Sequence, residues 1–571
     1  MGLGKSLQII TLLWTLLKQS PYYGVKSVIN HALIVCPVTL INNWKKEFRK
    51  WIGGNERIGL FIVDSNSNIE NFFVGNVYSI MIIGYERLRT IYDQLEDRNI
   101  DMIICDEGHR LKSASNKLTQ VIKSIKTRRR IILSGTPIQN DLSEFYVMVD
   151  FVNPGLLENY ATFKKEFENP IIKSRQAGCM KKDKEKGRIR SEQLASLTKM
   201  FVLRRTSEIL DEYLPPTVEY IVFCKPTSLQ VDIYRKLINI SISNLNTENT
   251  NIAVHLRALT YLKKVCNSPT LLFQKKKIEL DFNLFYANIK YKFFSKHLKD
   301  SGKLLVFDKF LEALKVTNEK VVIVSHYTET LQILENLLVS KSLPYLRLDG
   351  QTANIKRQEY VDKFNSSDSN EIFAFLLSAK SGGYGLNLIG ASRLVLFDID
   401  WNPRSTKKNL CLSSGMIDEK IYQRQIIKQD LSDTFIDSKM SLLKDSFTQE
   451  ELKSLFFYQD TSCQTHELLG CKCQGNGLNM DEIDYGEFSD EEIDLGGWVK
   501  SSEVLESGTK TSNYLKKKHF YKINEYSHIK ISENNDYYNI IKDDILRKIS
   551  QENNEIDKGC ISYIFEKVKS K

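Results

Sequence analysis

The sequence predicts an α/β protein with two parallel-sheet units and helical insertions, and two observations carry that prediction. Short apolar runs rich in β-branched residues alternate with longer amphipathic segments, the pattern of repeated βαβ units. These runs fall into two groups, separated by a stretch from Pro154 to Asp300 in which the strand signal thins and helical patterns dominate. Near-continuous apolar runs, as opposed to alternating ones, suit strands covered on both faces, as parallel sheets require.

The first group comprises Ala32 to Cys36, Ser79 to Ile83, Asp101 to Cys105 and Arg130 to Leu133. The second comprises Lys320 to Val324, Tyr345 to Leu348, Ile372 to Leu377 and Arg393 to Phe397. Between them, Leu229 to Ile240 and His255 to Val265 have helical periodicity. From Asp481 to Asp494 there are eight Asp/Glu and no Lys/Arg, and beyond Trp498 the chain turns rich in Lys, Asn and Ser, which reads as an appendage or partly disordered. The expected division is 1–153 for the first sheet unit, 154–300 for helical insertions, 301–435 for the second unit, 436–500 for an extension and 501–571 for a tail.

Composition narrows the class. The 571 residues carry 80 Lys+Arg against 70 Asp+Glu, a net charge of +10, and 42% are hydrophobic, which rules out global disorder. No run approaches the roughly 18–20 apolar residues that cross a bilayer, and the opening lacks a signal-peptide pattern, so no membrane partner is expected. Of 10 cysteines only Cys463, Cys471 and Cys473 cluster, which suits a reducing compartment, cytosol or nucleus.

Three strings carry chemistry. Gly2-Leu3-Gly4-Lys5-Ser6, ahead of an amphipathic run, has the makings of a phosphate loop. Glycines admit phosphate oxygens to backbone N–H groups at a helix N-terminus, the lysine neutralises charge, and the serine hydroxyl ligates Mg²⁺. Alone, the string fits a Gly-rich helix start equally well. About 100 residues on, Ile103-Ile104-Cys105-Asp106-Glu107-Gly108-His109 ends an apolar run in paired carboxylates. Asp106 suits the Mg²⁺ shell and Glu107 the orientation and deprotonation of an attacking water, although such pairs also serve as solvated turns. Ser134-Gly135-Thr136-Pro137 follows the next run, suited to a switch loop or a plain turn.

These strings in this order, with SGTPIQNDL from Ser134 and SAKSGGYGLNLIGASRLVLFDIDWNP from Ser378, resemble the Swi/Snf family of helicase superfamily two. RRTSEILDEYLPP at Arg204, LKKVCNSP at Leu262, DEKIYQRQ at Asp418 and FTQEELKSLF at Phe447 resemble its recombinational-repair branch. The resemblance implies two RecA-like lobes, ATP and Mg²⁺ as cofactors, double-stranded DNA as partner, a RecA-like recombinase filament as a further partner, and a nuclear location. It implies nucleotide contacts for Gly2, Gly4, Lys5, Ser6 and Gly385, with Mg²⁺ held by Ser6 and Asp106 and catalysis by Asp106 and Glu107. It implies DNA or coupling roles for Thr136, Gln139, Asn140, Ser378, Lys380, Gly382, Gly383 and Asn387. Pro37, Trp44 and Tyr85 lie in matching strings without assigned contacts. Same-class and different-class alternatives are a nucleosome-remodelling ATPase, with chromatin as partner, and a catalytically impaired DNA-binding remnant.

Cys463, His466, Cys471 and Cys473 offer thiolate and imidazole ligands for a structural Zn²⁺, which the resemblance also implies in this neighbourhood, although the final C-x-C spacing departs from C-x-x-C. Two further departures concern the motor itself. The family's strand and leading residues before the phosphate loop lie outside the sequence. Residues 404–413 stand where the family has a longer motif whose arginines reach the γ-phosphate; Arg404, Lys407 and Lys408 do not fit it. The expectation is inefficient hydrolysis by the chain as written. An imperfect gene translation explains the gaps better than a decaying copy, because Glu107, which has no packing purpose, is retained.

The basic clusters at Lys173 to Arg190, Arg128-Arg129-Arg130 and Arg204-Arg205 suit sequence-independent phosphate contacts, against the plainer reading of solvated faces.

Overall fold

The computed structural model describes residues 3–569 except 25–26, 54–57, 65–66, 76, 97, 112–115, 136–141, 175–180, 206, 211–212, 215, 246–251, 273–299, 382–385, 402–409, 434–454, 470–472, 474, 478–524, 533–536 and 553–560. The described residues form two compact units, one reaching to Leu214 and the other made of those beyond it.

In the first unit, β1 (Ala32–Cys36), β2 (Leu60–Ile62), β3 (Ile80–Gly84), β4 (Met102–Cys105) and β5 (Arg129–Ile132) form a parallel sheet in the order β2-β3-β1-β4-β5. Side chains alternate between its faces. Leu33, Val35, Met81, Ile83, Ile103 and Cys105 pack with Leu88, Phe145 and Phe151 on one side. Ala32, Ile34, Cys36, Ile80, Ile82, Met102 and Ile104 pack on the other, against Ile9, Ile10 and Leu13 of α1 (Lys5–Lys18) and Trp44 and Phe48 of α2 (Ile41–Ile52). Both faces of β1, β3 and β4 are buried, which is why these strands read as unbroken apolar runs. The three buried apolar residues of α1, at roughly 1.5–3 kcal/mol each, hold its N-terminus in place.

The second unit contains β6 (Thr217–Cys224), β7 (Val321–Ser325), β8 (Tyr345–Leu348), β9 (Ala374–Ser378), β10 (Arg393–Leu396), β11 (Leu410–Ser413), β12 (Ser527–Lys530) and β13 (Ile561–Lys569). Their order is β12-β13-β6-β11-β10-β7-β9-β8. The strands β6 to β11 pair in parallel, while β13 runs antiparallel to β6 and to β12. One face packs Val321, Ile323, Ala374, Leu376 and Val395 against Leu304, Phe307, Leu311, Leu331 and Leu334. The opposite face packs Val322, Phe375 and Leu377 against Val361 and Phe364.

Three features differ from the sequence reading. Residues 154–300 are not all helical: β6 lies among them and joins the second sheet, its first residues, Thr217 to Glu219, too polar to signal a buried strand. The shortened interval 404–413 carries a strand absent from the sequence reading: Leu410–Ser413 forms β11 between β6 and β10, recruited by partners on both sides. The tail is not simply an appendage: Ile529, Ile541, Ile545, Ile549, Ile561 and Ile564 enter the core of the second unit. Their flanks are rich in Lys, Asn and Ser, so composition hid them. Among the described residues, no helix is long and apolar enough to cross a membrane.

Candidate nucleotide site and metal cluster

In the first unit the chemistry gathers at the C-terminal ends of β1, β4 and β5, where open parallel sheets bind ligands. Gly4 precedes α1 at φ 73°, a left-handed conformation that favours glycine, and no side chain caps the helix. The first-turn N–H groups of α1 are thus available to an anion. Lys5 opens the helix, and its Nζ lies 3.5 Å from where a Cβ on Gly135 would stand, which brings this lysine to the loop after β5. Ser6 follows in the first turn of α1.

Asp106 and Glu107 follow β4 and are both buried. The Asp106 N–H donates to the Val35 carbonyl at 2.8 Å, and the Gly108 N–H to the Leu133 carbonyl at 2.9 Å, so the turn is tied to both neighbouring strands. A Cβ on Gly108 would meet Ile132 Cγ2 at 2.4 Å, which explains a glycine here. Glu107 has φ 51°, uncommon for a non-glycine residue. This turn aims the Glu107 N–H at Asp106 Oδ1, at 2.9 Å. Burial pushes the Asp106 carboxyl upward, with the Trp44 hydrogen bond and the Lys5 charge opposing.

Two residues left without contacts by the sequence now have them. The Trp44 indole Nε1 donates to Asp106 Oδ2 at 2.9 Å, and the Tyr85 hydroxyl to the Asp106 carbonyl at 2.7 Å. The expected site residues Gly2, Thr136, Gln139 and Asn140 lie outside the described residues.

In the second unit Ser378 closes β9, and its carbonyl accepts from the Ser381 N–H at 2.9 Å. Lys380 and Asn387 are exposed, and the Asn387 carbonyl accepts from Asn365 Nδ2 at 2.7 Å. Gly382, Gly383 and Gly385 lie outside the described residues. A residue absent from the expected site, Arg357, ties two loops together. Its guanidinium donates to the carbonyls of Thr352 at 3.1 Å, Asp349 at 3.2 Å and Ser381 at 3.3 Å. An isolated arginine in a helical pattern gives no sequence signal of this role.

Part of the basic surface is committed internally. Arg188 pairs with Glu185 and Glu192, and Arg190 with Glu166. Arg130 donates to the carbonyls of Lys123, Ile125, Thr127 and Phe151, which makes it a packing staple.

The metal-ligand set differs from the expected one. His466 Nε2 lies 3.1 Å from Cys473 Sγ, and Cys473 Sγ lies 3.6 Å from His528 Nδ1. These three ligand atoms all fall within 4.8 Å of one another. Tetrahedral Zn²⁺, with Zn–N near 2.0–2.1 Å and Zn–S near 2.3 Å, sets its ligands roughly 3.5 Å apart, so the spacing fits. Cys463 stands outside this group: its Sγ donates to Glu419 Oε1 at 3.5 Å. Cys471 lies outside the described residues. His528, on β12, was missed because the surrounding tail read as an appendage.

Comparison with known proteins agrees with the ordered motifs. Residues 1–271 match the SNF2-related domain and residues 302–425 the helicase conserved C-terminal domain. The DNA repair and recombination protein RAD54B of Gallus gallus is 44% identical over 510 residues, covering 83% of this chain and 55% of that protein. RDH54 of Saccharomyces cerevisiae is 42% identical over 537 residues, covering 86% and 57%. The chain thus spans just over half the length of these relatives. The Sulfolobus solfataricus SWI2/SNF2 ATPase core in complex with dsDNA aligns at 24% identity over 79% of this chain and 90% of that one, with a TM-score of 0.34. With both domains and these relatives, the chain belongs to the SNF2 family, as a homologue of its RAD54B and RDH54 recombination-repair members.

Proposed function

We propose that the chain is the motor part of an ATP-dependent double-stranded-DNA translocase acting in recombinational repair with a RecA-like recombinase, in the nucleus. The observation that carries this reading is the convergence of Lys5, Asp106 and Glu107 at one end of the first sheet, in a chain that holds both SNF2-family domains. Lys5 and the N-terminus of α1 would bind the nucleotide phosphates, and Ser6 and Asp106 would hold Mg²⁺. The metal supplies charge neutralisation at the phosphates. Glu107 would orient the attacking water and take its proton. Gly2, Gly4 and Gly385 would add nucleotide contacts, while Thr136, Gln139 and Asn140 in the first unit, and Ser378, Lys380, Gly382, Gly383 and Asn387 in the second, would relay nucleotide state to DNA.

The test is phosphate release by the purified protein with and without duplex DNA. Lys5→Ala and Glu107→Gln should each abolish DNA-stimulated release and leave duplex binding intact; unchanged turnover in either defeats the mechanism. Stimulation by naked duplex and recombinase filaments above that by nucleosomes separates this reading from chromatin remodelling. A second reading, a duplex binder with weak turnover, is favoured by the shortness of 404–413. An arginine finger is worth about 10³–10⁵ in turnover. Duplex binding by a wild-type chain without hydrolysis would establish it. We also propose that His466, Cys473 and His528, with Cys471, hold a structural Zn²⁺ that ties β12 to residues 464–477.

A further inference from the structure

We infer that Trp44 is a positioning residue for the Asp106 carboxylate, and through it sets the Mg²⁺ affinity of the first unit. This rests on reading that unit as the nucleotide site. Asp106 is 7% exposed and has a different N–H donor on each carboxylate oxygen: the Glu107 backbone on Oδ1 and the Trp44 indole on Oδ2, both at 2.9 Å. Two donors on separate oxygens fix the plane of the carboxylate, while each oxygen keeps lone-pair capacity for a metal ion or its water. The backbone beneath is fixed as well, because the Tyr85 hydroxyl holds the Asp106 carbonyl and the Asp106 N–H is bound to Val35.

The choice of donor matters. An indole N–H donates and cannot accept, so it bonds to the ionised oxygen without supplying a proton acceptor of its own. It is also neutral. A lysine or arginine in its place would cancel the negative charge that attracts the metal, whereas the indole orients that charge and leaves it in force. Trp44 can hold this position because it is 1% exposed on α2 and packed with its ring 6.1 Å from that of Phe48. Its apolar body belongs to the core while its polar edge faces the site. The tryptophan thus joins the packing of α2 to the geometry of the metal carboxylate.

The experiment replaces Trp44 in the full chain by benzothienylalanine, which keeps the ring shape and substitutes sulfur for N–H, and in parallel makes Trp44→Phe. Mg²⁺ is titrated at fixed ATP and duplex DNA. Loss of one charge-assisted hydrogen bond should raise the half-saturating Mg²⁺ about tenfold, with turnover at saturating Mg²⁺ within about threefold of wild type. A merely structural role instead lowers turnover at every Mg²⁺ concentration and is not rescued by the metal. An unchanged midpoint with the isostere, or a deficit that Mg²⁺ does not recover, overturns the inference. If wild type does not hydrolyse ATP, calorimetric binding of nucleotide against Mg²⁺ supplies the same midpoint. Binding with an unchanged midpoint in the isostere then defeats the role of Trp44 alone. Absence of Mg²⁺-dependent nucleotide binding in wild type defeats the nucleotide-site reading and the inference with it.

Discussion

Replacing Lys303 by methionine should unfold part of the second unit at a cost set by a buried charge. Lys303 lies on the helix Gly302–Thr317 with its side chain 0% exposed, and its ammonium pairs with Asp418, 1% exposed, on the helix Ile417–Asp433. It also donates to Asn267 Oδ1 and to the Phe397 carbonyl, each at 3.3 Å. Asn267 in turn donates to Asp398 at 3.2 Å, and Asp398 accepts from the His326 N–H at 2.8 Å and from Ser325. One cation therefore satisfies three acceptors and anchors a chain of polar contacts around the ends of β7 and β10. Methionine preserves the bulk but strands the Asp418 carboxylate without its counter-charge, a loss of about 3–5 kcal/mol. Lys303→Met/Asp418→Leu removes both charges and should return to within about 1 kcal/mol of wild type, because well-packed apolar replacements of buried pairs are often neutral. Hydrogen exchange of peptides from β7 and β10 is the suitable assay, since a chain of two units need not unfold as one transition. Protection within about 1 kcal/mol of wild type in the single variant, or a double variant as unstable as the single, would refute the account.

Three further outcomes follow from particular contacts. His528→Ala or Cys473→Ser should remove stoichiometric zinc from the purified protein, whereas Cys463→Ala should retain it; metal analysis decides, and equal loss in all three would restore Cys463 as a ligand. Burial lowers the Lys420 ammonium to about 7. Between pH 7 and 10 the unfolded chain keeps a proton that the folded chain has lost, so stability rises with pH, by at most about 1.4 kcal/mol per unit. Lys420→Met should flatten that rise in urea unfolding of the second unit, and a wild-type-like slope would count against it. Arg357→Lys should lower DNA-stimulated turnover several-fold, because a lysine cannot serve three carbonyls in a planar fork; unchanged stimulation would show that the two loops do not need the tie.

The sequence was most legible where burial is symmetrical. Strands covered on both faces, such as Met102–Cys105 and Ala374–Ser378, stand out as apolar runs, and their ends locate Asp106 and Ser378. It was least legible where a strand owes its place to distant partners. Leu410–Ser413 is only four residues long, and Ser527–Lys530 has a single apolar residue, Ile529; each is a strand because a neighbour offers hydrogen bonds. The candidate site divides in the same way. Lys5, Asp106 and Glu107 announce themselves by residue type and order, but Trp44, Arg357 and His528 act through contacts that span 62, 24 and 55 positions. No local pattern encodes such pairings.

The pairing of β13 with β6 also has a temporal side. Cys224 and Ile561 are partners in register, so β6 leaves the ribosome 337 residues before the strand that covers it. At about 5–20 residues per second, that edge waits roughly 20–70 s. During this interval an eight-residue strand, with Tyr220 to Cys224 buried in the finished fold, lacks its outer neighbour. An open strand edge is a template for wrong pairing. A premature stop between Asp433 and Ile561 would make that transient state permanent, leaving every candidate site residue of the two sheets in place on a polypeptide prone to self-association.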